Sequence, residues 1–127
     1  MIVGLGTDIV EISRISKVYE RNGEDFIDRI LTDTEKERIP KNPDLLPAFL
    51  AKRFAVKEAA AKALGTGIGN GVSFHDFYTI YDPYGAPSLV VTGRAKETAE
   101  VKGITRWHVS LSDEKSYAVA TVIAEAD

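Results

Sequence analysis

Hydrophobic residues near the N-terminus change from a strand-like to a helix-like pattern. Residues 2–10 are rich in Ile, Val and Leu and predict a strand, although Asp8 interrupts the apolar residues near its end. From Ile12 to Arg21 the apolar side chains recur at helical spacing, which predicts a helix with one face against the core. Asp8 is therefore expected beside the core, shortly before the first helix.

The strongest helical prediction lies in the middle of the chain. Residues 48–64 consist almost wholly of Ala, Leu, Lys, Glu, Arg and Phe, and the glycines that begin at Gly65 end this helix. Upstream, Thr32 and Glu35 have the spacing of a capping box, which predicts the start of a short helix. Three prolines within residues 40–47 predict a loop between the two helices.

The second half of the chain has the patterns of strands that pair in hairpins. Residues 72–81 and 88–91 predict two strands joined by a turn rich in Pro and Gly, and residues 107–111 and 117–123 predict a second pair. A polar helix over residues 94–102 separates the two hairpins. Helices thus come mostly early and antiparallel strands mostly late, so we expect an α+β fold with an antiparallel sheet packed against the long helix.

Composition narrows the classes of protein. The 127 residues suit one domain, 1–127, and 44% hydrophobic and 28% charged residues suit a compact core with a polar exterior. A net charge of −3 argues against a nucleic-acid-binding protein. Without cysteine there is no disulfide, thiolate nucleophile or cysteine zinc site. No apolar run approaches the roughly 20 residues that cross a membrane, and nothing resembles a secretory signal, so we expect a cytoplasmic setting.

One carboxylate on the long helix stands out by its position. At about 100° per residue, Glu58 projects onto the same side as Phe54 and Ala55, in the most apolar stripe. An ionised carboxylate there is costly unless it is paired or bound to a metal ion. On the helix alone, an ion pair with Lys62 one turn later is a slightly better explanation of Glu58.

Asp8 changes this balance because it is a second carboxylate in an apolar segment. The long helix is a natural cover for the first strand, so Asp8 and Glu58 could share a cation. Mg²⁺ suits oxygen ligands and accepts one or two protein carboxylates, with water and substrate phosphates in its other positions. The alternative for Asp8 is a helix cap, but Glu11 and Ser13 lie closer to the start of the first helix.

Four basic residues on the long helix differ in what they predict. Lys52, Arg53 and Lys57 are expected on a solvated surface, because lysine and arginine favour helices whatever the function. Lys62 shares the side that carries Glu58 and could bind phosphate beside a metal ion.

Two further segments could bind a polar ligand. Residues 65–69 resemble a phosphate-binding loop in composition but follow a helix instead of preceding one, so a helix stop is the better interpretation. In the predicted strand at 107–111, alternation puts His108 on the same face as Ser110 and Ser112. A lone histidine on a strand is more often structural than catalytic.

Three segments together resemble the holo-[acyl-carrier-protein] synthases, a family of 4′-phosphopantetheinyl transferases. They are Gly6–Ile12 with Arg14, Phe49–Ala59 continuing to Lys62–Gly67, and His108–Asp113. The middle segment is the most specific, and the three occur in this order across nearly the whole chain. The resemblance implies a 4′-phosphopantetheinyl transferase-like fold and a homotrimer with active sites between subunits.

In this family, coenzyme A donates its phosphopantetheine arm to a serine of an acyl carrier protein and releases adenosine 3′,5′-bisphosphate. The resemblance implies that Asp8 and Glu58 hold Mg²⁺ and that Lys62 contacts the pyrophosphate, which makes these three the expected catalytic residues. Coenzyme A would be bound by Lys62, Gly65, Pro83, Gly85, Pro87, His108 and Ser110. Asp113 stands where many relatives carry histidine, so the resemblance does not assign a proton-carrying role to this position.

The resemblance also implies a partner surface. Acyl carrier proteins are acidic, and Arg14, Lys17 and Arg21 share a basic helix face that would steer such a partner to the site; the alternative is an ordinary solvated face. The serine proton would pass to a metal-bound water or to Glu58. Two other classes stay open: a non-enzymatic coenzyme A-binding module, and a structural trimer in which Glu58 and Lys62 form only an ion pair.

Overall fold

The computed structural model describes all of residues 1–127. Ten helices and strands follow one another along the chain: β1 (Ile2–Glu11), α1 (Ile12–Asn22), α2 (Glu24–Ile30), α3 (Asp33–Lys36), α4 (Leu46–Leu64), β2 (Phe77–Tyr81), β3 (Pro87–Val91), α5 (Gly93–Val101), β4 (Ile104–Asp113) and β5 (Tyr117–Ala126). Short 3₁₀ turns lie at Pro43–Leu45 and Phe74–Asp76. None of the helices combines the length and the apolar character needed to cross a membrane.

A three-stranded antiparallel sheet and helix α4 form the centre of the fold. The strand order is β1-β5-β4, and β2 pairs with β3 in a separate antiparallel hairpin. A cluster of buried apolar residues joins α4 to the sheet and to α1 and α2. This is the expected α+β fold, with the antiparallel sheet packed against the long helix.

The sheet has one face against α4 and one open face. In β5, Ala118, Ala120, Val122 and Ala124 are buried, whereas Val119 between them is exposed. Side chains alternate along a strand, and the cross-strand pairs carry this alternation into β1. From Gly4 onward in β1, and along β5 as far as Ala124, even-numbered positions therefore face α4 and odd-numbered positions lie on the open face; a bulge shifts the register between Ile2 and Gly4.

Two glycines let α4 approach the backbone of β1. Gly4 lies against Ala63 and Gly6 against Ala59, so the helix runs antiparallel to the strand. A Cβ atom on Gly6 would lie 2.8 Å from both the carbonyl carbon of Ala59 and the amide nitrogen of Ala63, and closer still to the Ala59 oxygen. Glycine at these two positions is therefore a packing requirement.

Several predicted boundaries differ from the structure by a few residues, and two of these differences have a local explanation. Residues 72–76 do not belong to a strand, because Ser73 and Asp76 form a capping box at a 3₁₀ turn and β2 begins only at Phe77. Helix α4 begins at Leu46, slightly before the predicted start. Pro47 falls in its first turn, where the backbone N–H that proline lacks has no partner in the helix.

Candidate active site

Asp8 faces helix α4. It is the next even-numbered residue of β1 after Gly4 and Gly6, on the face that α4 contacts. Two residues along β1, from Gly4 to Gly6, correspond to one helical turn back along α4, from Ala63 to Ala59. Two residues farther along β1, Asp8 therefore lies beside the preceding turn of α4, which carries Glu58. Only 17% of the Asp8 side chain is exposed. The packing of β1 against α4 thus brings together two carboxylates that are far apart in the sequence.

Glu58 is half-buried and lacks a hydrogen-bond donor. Burial raises the pKa of Glu58, and the negative charge of Asp8 raises it further, while Lys62 and Arg14 act in the opposite direction. No ion pair or side-chain hydrogen bond of the protein involves the Glu58 carboxylate, because the neighbouring ammonium of Lys62 bonds elsewhere. The two carboxylates therefore repel each other, an arrangement that a shared cation stabilises.

Lys62 pairs with Asp8 and not with Glu58. Its ammonium donates to the carbonyl oxygen of Thr7 at 2.9 Å and to Oδ1 of Asp8 at 3.2 Å. Half of the Lys62 side chain is exposed, so solvent and dissolved ligands can reach the ammonium. An ion pair with Lys62 therefore does not explain why a carboxylate stands at position 58.

Asp8 is not a helix cap either. Glu11 occupies the N-cap position of α1, and no side chain accepts a capping hydrogen bond there. The hydroxyl of Ser13 donates to the Glu11 carboxylate at 2.6 Å, so both residues nearest the helix start bond to each other. Neither of the structural explanations that we considered for the two carboxylates applies.

The carboxylate oxygens of this site fit Mg²⁺. Asp8 and Glu58 supply two carboxylates, and the protein contains no cluster of three or more His, Cys, Asp or Glu side chains. Mg²⁺ usually takes one or two carboxylates from a protein and keeps water or substrate phosphates in its other positions. A structural zinc site would need about four protein ligands. The available ligands therefore suit a metal ion that binds together with a phosphate-containing substrate.

A cavity of about 460 Å³ opens next to Glu58. It lies between α1, α2 and α4, with apolar walls that include Phe26, Phe54 and Phe74, while Arg14 adds a positive charge. The rings of Phe54 and Phe74 pack with their centres 5.6 Å apart. The cavity thus offers apolar surface and a cation beside the carboxylate site.

The predicted basic face exists on α1. Arg14, Lys17 and Arg21 are all exposed. Arg14 also lines the cavity, and its charge acts on the pKa of Glu58. The basic face is therefore continuous with the carboxylate site at Arg14.

His108 and Ser110 lie on the open face of the sheet, opposite α4. They stand across from Ile123 and Thr121 of β5, at positions whose side chains point away from the helix. Nε2 of His108 lies 2.9 Å from Oε1 of Glu125, and this hydrogen bond lowers the pKa of Glu125. Within one chain, the sheet separates these two predicted ligands from the carboxylates.

The other positions predicted to bind coenzyme A lie toward opposite ends of α4. Gly65 ends the helix in a left-handed conformation with φ of 90°. The hairpin β2–β3 contacts α4 near Arg53, about 18 Å from Gly65 at 1.5 Å per residue. Strand β2 runs along α4 from Lys57, which bonds to Phe77, toward Arg53, which bonds to Thr79. The turn with Pro83 and Gly85, and Pro87 at the start of β3, therefore follow farther in the same direction. One chain alone does not bring these residues together.

The prediction that Arg53 and Lys57 lie on a solvated surface is wrong. Their side chains are 4% and 1% exposed, and both pair with the buried Glu35 of α3. The Lys57 ammonium donates to Glu35 at 2.7 Å and to the carbonyl oxygens of Phe74 and Phe77 at 3.0 and 2.6 Å, which uses all three of its hydrogens. Burial lowers the pKa of Lys57, and Glu35 opposes this shift.

This buried cluster joins three parts of the fold. Glu35 also forms the capping box with Thr32, as predicted, and Arg53 donates to the carbonyl oxygen of Thr79 in β2 at 3.3 Å. Helices α3 and α4 and strand β2 are therefore tied to one another. In the sequence, the capping box is already a sufficient explanation for a glutamate at position 35. No local pattern indicated that Glu35 also pairs with Arg53 and Lys57.

Asp113 forms a separate ion pair at the end of β4. Its Oδ1 lies 3.2 Å from the ammonium of Lys52, and each side chain is about one third exposed. Such a pair adds little to stability because water screens it. Lys52 is thus a partly exposed cation of α4 whose partner is not one of the two candidate metal ligands.

Comparisons with known proteins agree over nearly the whole chain. Residues 4–122 match the 4′-phosphopantetheinyl transferase superfamily. The chain is 54% identical over 125 residues to the holo-[acyl-carrier-protein] synthase of Vibrio cholerae, with 98% of each chain covered. It also resembles the crystal structure of holo-[acyl-carrier-protein] synthase from Neisseria meningitidis, with a TM-score of 0.88 and 43% identity over 98% of this chain and 99% of that one.

A further solved structure has a ligand in its description. It is a holo-(acyl-carrier-protein) synthase from Bacillus anthracis in complex with CoA (3′,5′-ADP), which is 40% identical with a TM-score of 0.81 and covers 100% of this chain and 99% of that one. Sequence and fold agree along the full length of these relatives. The chain therefore belongs to the holo-[acyl-carrier-protein] synthases, enzymes of the 4′-phosphopantetheinyl transferase superfamily.

Proposed function

We propose that this enzyme transfers the 4′-phosphopantetheine group of coenzyme A to a serine of an apo acyl carrier protein, with Mg²⁺, and releases adenosine 3′,5′-bisphosphate. The observation that carries the proposal is the meeting of Asp8 and Glu58 beside Lys62. The Bacillus anthracis relative in complex with CoA (3′,5′-ADP) supports the donor. That bisphosphate is the part of coenzyme A that remains when phosphopantetheine leaves.

The proposed roles follow from the position of each residue. Asp8 and Glu58 would hold the metal ion, which when bound neutralises charge on the pyrophosphate of the donor. Lys62 would bind a pyrophosphate oxygen through its exposed ammonium. These residues would act mainly by positioning the reactants and by stabilising charge, as in other phosphoryl transfers.

The bond changes can be written without a covalent enzyme intermediate. The serine oxygen forms a new bond to the phosphorus next to pantetheine, and the bond from that phosphorus to the bridging pyrophosphate oxygen breaks. The bridging oxygen leaves with adenosine 3′,5′-bisphosphate. The serine proton would go to Glu58 or to water, and a carboxylate with a raised pKa is a better proton acceptor than an ordinary one.

We propose that the acyl carrier protein docks on α1 and on the cavity beside it. Arg14, Lys17 and Arg21 would attract an acidic partner, and this attraction would weaken with salt. Phe26 and Phe54 offer apolar surface in the same place. A partner bound there would present its serine beside Glu58.

We also propose that the open face of the sheet is the contact between the subunits of a homotrimer. Large apolar side chains on this face are 37% to 67% exposed: Leu5, Ile9, Tyr117 and Val119. Several exposed apolar side chains on one face of a sheet are typical of an interface. His108 and Ser110 share the face, so in such an assembly they would meet a neighbouring subunit and not their own Asp8. Sedimentation equilibrium would detect the trimer, and a monomer at all concentrations would contradict it.

The transfer itself is tested with coenzyme A, Mg²⁺ and an apo acyl carrier protein. Mass spectrometry should show the carrier protein heavier by one phosphopantetheine, and chromatography should show adenosine 3′,5′-bisphosphate in equal amount. A chelator and the Asp8→Ala substitution should each abolish the mass gain of the carrier protein. Added Mg²⁺ should restore transfer after the chelator but not in the Asp8→Ala variant. If folded enzyme modified none of several carrier proteins, the proposal would fail. If transfer continued in the presence of the chelator, the metal ion would no longer be part of the proposal.

A further inference from the structure

The contact between Lys62 and Asp8 places a positive charge on a proposed metal ligand. The ammonium lies 3.2 Å from Oδ1 of Asp8 and 2.9 Å from the carbonyl oxygen of Thr7. A Mg²⁺ ion would bind a carboxylate oxygen at about 2.1 Å. An ammonium and a metal ion that approach the same carboxylate therefore stand only a few ångströms apart, where their charges repel each other.

The two carboxylates of the site are neutralised unequally. Asp8 has Lys62 as its direct partner, whereas no side chain bonds to Glu58, whose pKa is raised by burial and by Asp8. A divalent ion that binds both carboxylates relieves the charge of Glu58. At Asp8, however, it would share a carboxylate that the Lys62 ammonium already contacts at Oδ1.

We propose that Lys62 is an internal counter-ion of Asp8 that competes with the divalent ion and moves to the phosphates of coenzyme A when this donor binds. The inference rests on the metal site of the proposed function and adds a second role for Lys62. It implies that the enzyme alone binds the metal ion weakly and that coenzyme A strengthens this binding. Because binding couplings are reciprocal, the metal ion should strengthen coenzyme A binding by the same factor.

The exposure of the two side chains suits such a movement. Half of the Lys62 side chain is exposed and its flexible four-carbon stem can turn, so the ammonium exchanges Asp8 for water or phosphate without opening the core. Asp8 is 17% exposed and lies on a strand of the central sheet, so its carboxylate stays in place. The lysine is thus the mobile partner of the pair.

The size of the effect follows from the charges. Two unit charges about 4 Å apart in water-like surroundings interact by roughly a factor of five in an equilibrium constant, and a divalent ion doubles the energy. Removal of the Lys62 charge is therefore expected to tighten metal binding by about 25-fold at low salt, the square of the factor for two unit charges. The gain should shrink as salt screens the site.

Mn²⁺ binding to the full-length enzyme tests the proposal without any measurement of activity. Free Mn²⁺ is followed by electron paramagnetic resonance at low salt, with and without coenzyme A, for the parent, Lys62→Met and Lys52→Met. Lys52 is the matched control because it also lies on α4, carries the same charge and pairs with a different carboxylate, Asp113, at 3.2 Å. Circular dichroism checks that all three proteins are folded.

We expect Lys62→Met to bind Mn²⁺ about 25-fold more tightly than the parent and Lys52→Met to stay within about twofold of it. Coenzyme A should then tighten Mn²⁺ binding more in the parent than in Lys62→Met. Equal Mn²⁺ affinity of the parent and Lys62→Met would overturn the counter-ion role and leave the proposed function intact. If Lys62→Met and Lys52→Met gained the same Mn²⁺ affinity over the parent, the cause would be the lower net charge of the protein. That result would also overturn the counter-ion role. If no protein bound Mn²⁺ even with coenzyme A, the metal site itself would fall, and the inference with it.

Discussion

Replacement of Gly6 by alanine is expected to push α4 away from β1 and so to disturb the carboxylate site. The added Cβ atom would lie 2.8 Å from backbone atoms of both Ala59 and Ala63, where ordinary contacts begin at 3.4 Å. Strand or helix must therefore shift by more than 0.6 Å, the difference of these two distances, because the carbonyl oxygen of Ala59 is closer still. Asp8 lies two residues farther along the same face of β1, so it moves relative to Glu58.

The expected loss of stability follows from this overlap. Overpacking of a well-packed interior costs about 1–3 kcal/mol. At about 2.1 cal/mol/K of unfolding entropy per residue, 127 residues give about 0.27 kcal/mol/K, so each kcal/mol lowers Tm by about 4 °C. The Gly6→Ala variant should therefore melt about 4–12 °C lower. Misplacement of catalytic groups by about 1 Å can cost a factor of roughly 100, so we expect kcat to fall by about tenfold to a hundredfold.

Gly103→Ala is the matched control, because it loses stability for a different reason. Gly103 lies between α5 and β4 with φ of 76°, and an added Cβ would meet no atom within 4 Å. Alanine there costs about 1–2 kcal/mol of backbone strain and leaves the packing of α4 unchanged. The assay compares Tm with the rate of carrier-protein modification at 25 °C and saturating coenzyme A. Both variants should lose Tm, but only Gly6→Ala should lose kcat. If Gly6→Ala kept kcat within twofold, close packing would not be what sets the carboxylate geometry.

Three further predictions concern charged side chains. Glu35→Gln leaves two buried cations without their carboxylate, so urea unfolding should show a loss of about 3 kcal/mol or more; a loss below about 1 kcal/mol would contradict the buried cluster. The raised pKa of Glu58 means that the folded protein holds this proton more tightly than the unfolded chain. The resulting stability is present below the ordinary value of 4.5 and is lost as pH rises through the raised pKa. Glu58→Gln should therefore raise Tm at pH 7 in chelator but not at pH 4, although it abolishes transfer; a lower Tm at pH 7 would refute this. Glutamate at both Arg14 and Arg21 should raise the KM for the carrier protein at low salt, and an unchanged KM would remove the docking proposal.

Short-range patterns were enough to predict most of the fold. Helix α4 and the hairpin β4–β5 occur where apolar spacing and glycines indicated them. The error at residues 72–76 has a local cause. Val72 and Phe74 are both buried, as the alternation of a strand requires. However, the side chains of Ser73 and Asp76 accept hydrogen bonds from backbone N–H groups of this segment, which folds it into a 3₁₀ turn. The alternation of apolar residues thus predicted correctly which side chains are buried, but not the conformation of the backbone that carries them.

The carboxylate site was predictable in part. Two charges in apolar segments predict that Asp8 and Glu58 share a cation, and the packing of α4 on β1 places them together. A stronger signal in the sequence was overlooked, since Gly4, Gly6 and Asp8 alternate along β1. Two glycines at that spacing mark the face on which the backbone of another element comes close, and Asp8 is the next residue on it. The positions of His108 and Ser110 depend on sheet pairing and on assembly, which no local pattern contains.

Buried charge alone does not distinguish a functional residue from a structural one on α4. Lys57 and Glu58 are neighbours in sequence, and both would be expensive in an apolar environment. Lys57 is the more buried, yet Glu35 and two carbonyl oxygens satisfy all of its hydrogens, so its burial is explained by the fold. Glu58 has no partner and a raised pKa, so the fold leaves its charge unexplained. A charge that the protein does not satisfy is the better indicator of a ligand, and on this helix it selects the carboxylate that a metal ion would complete.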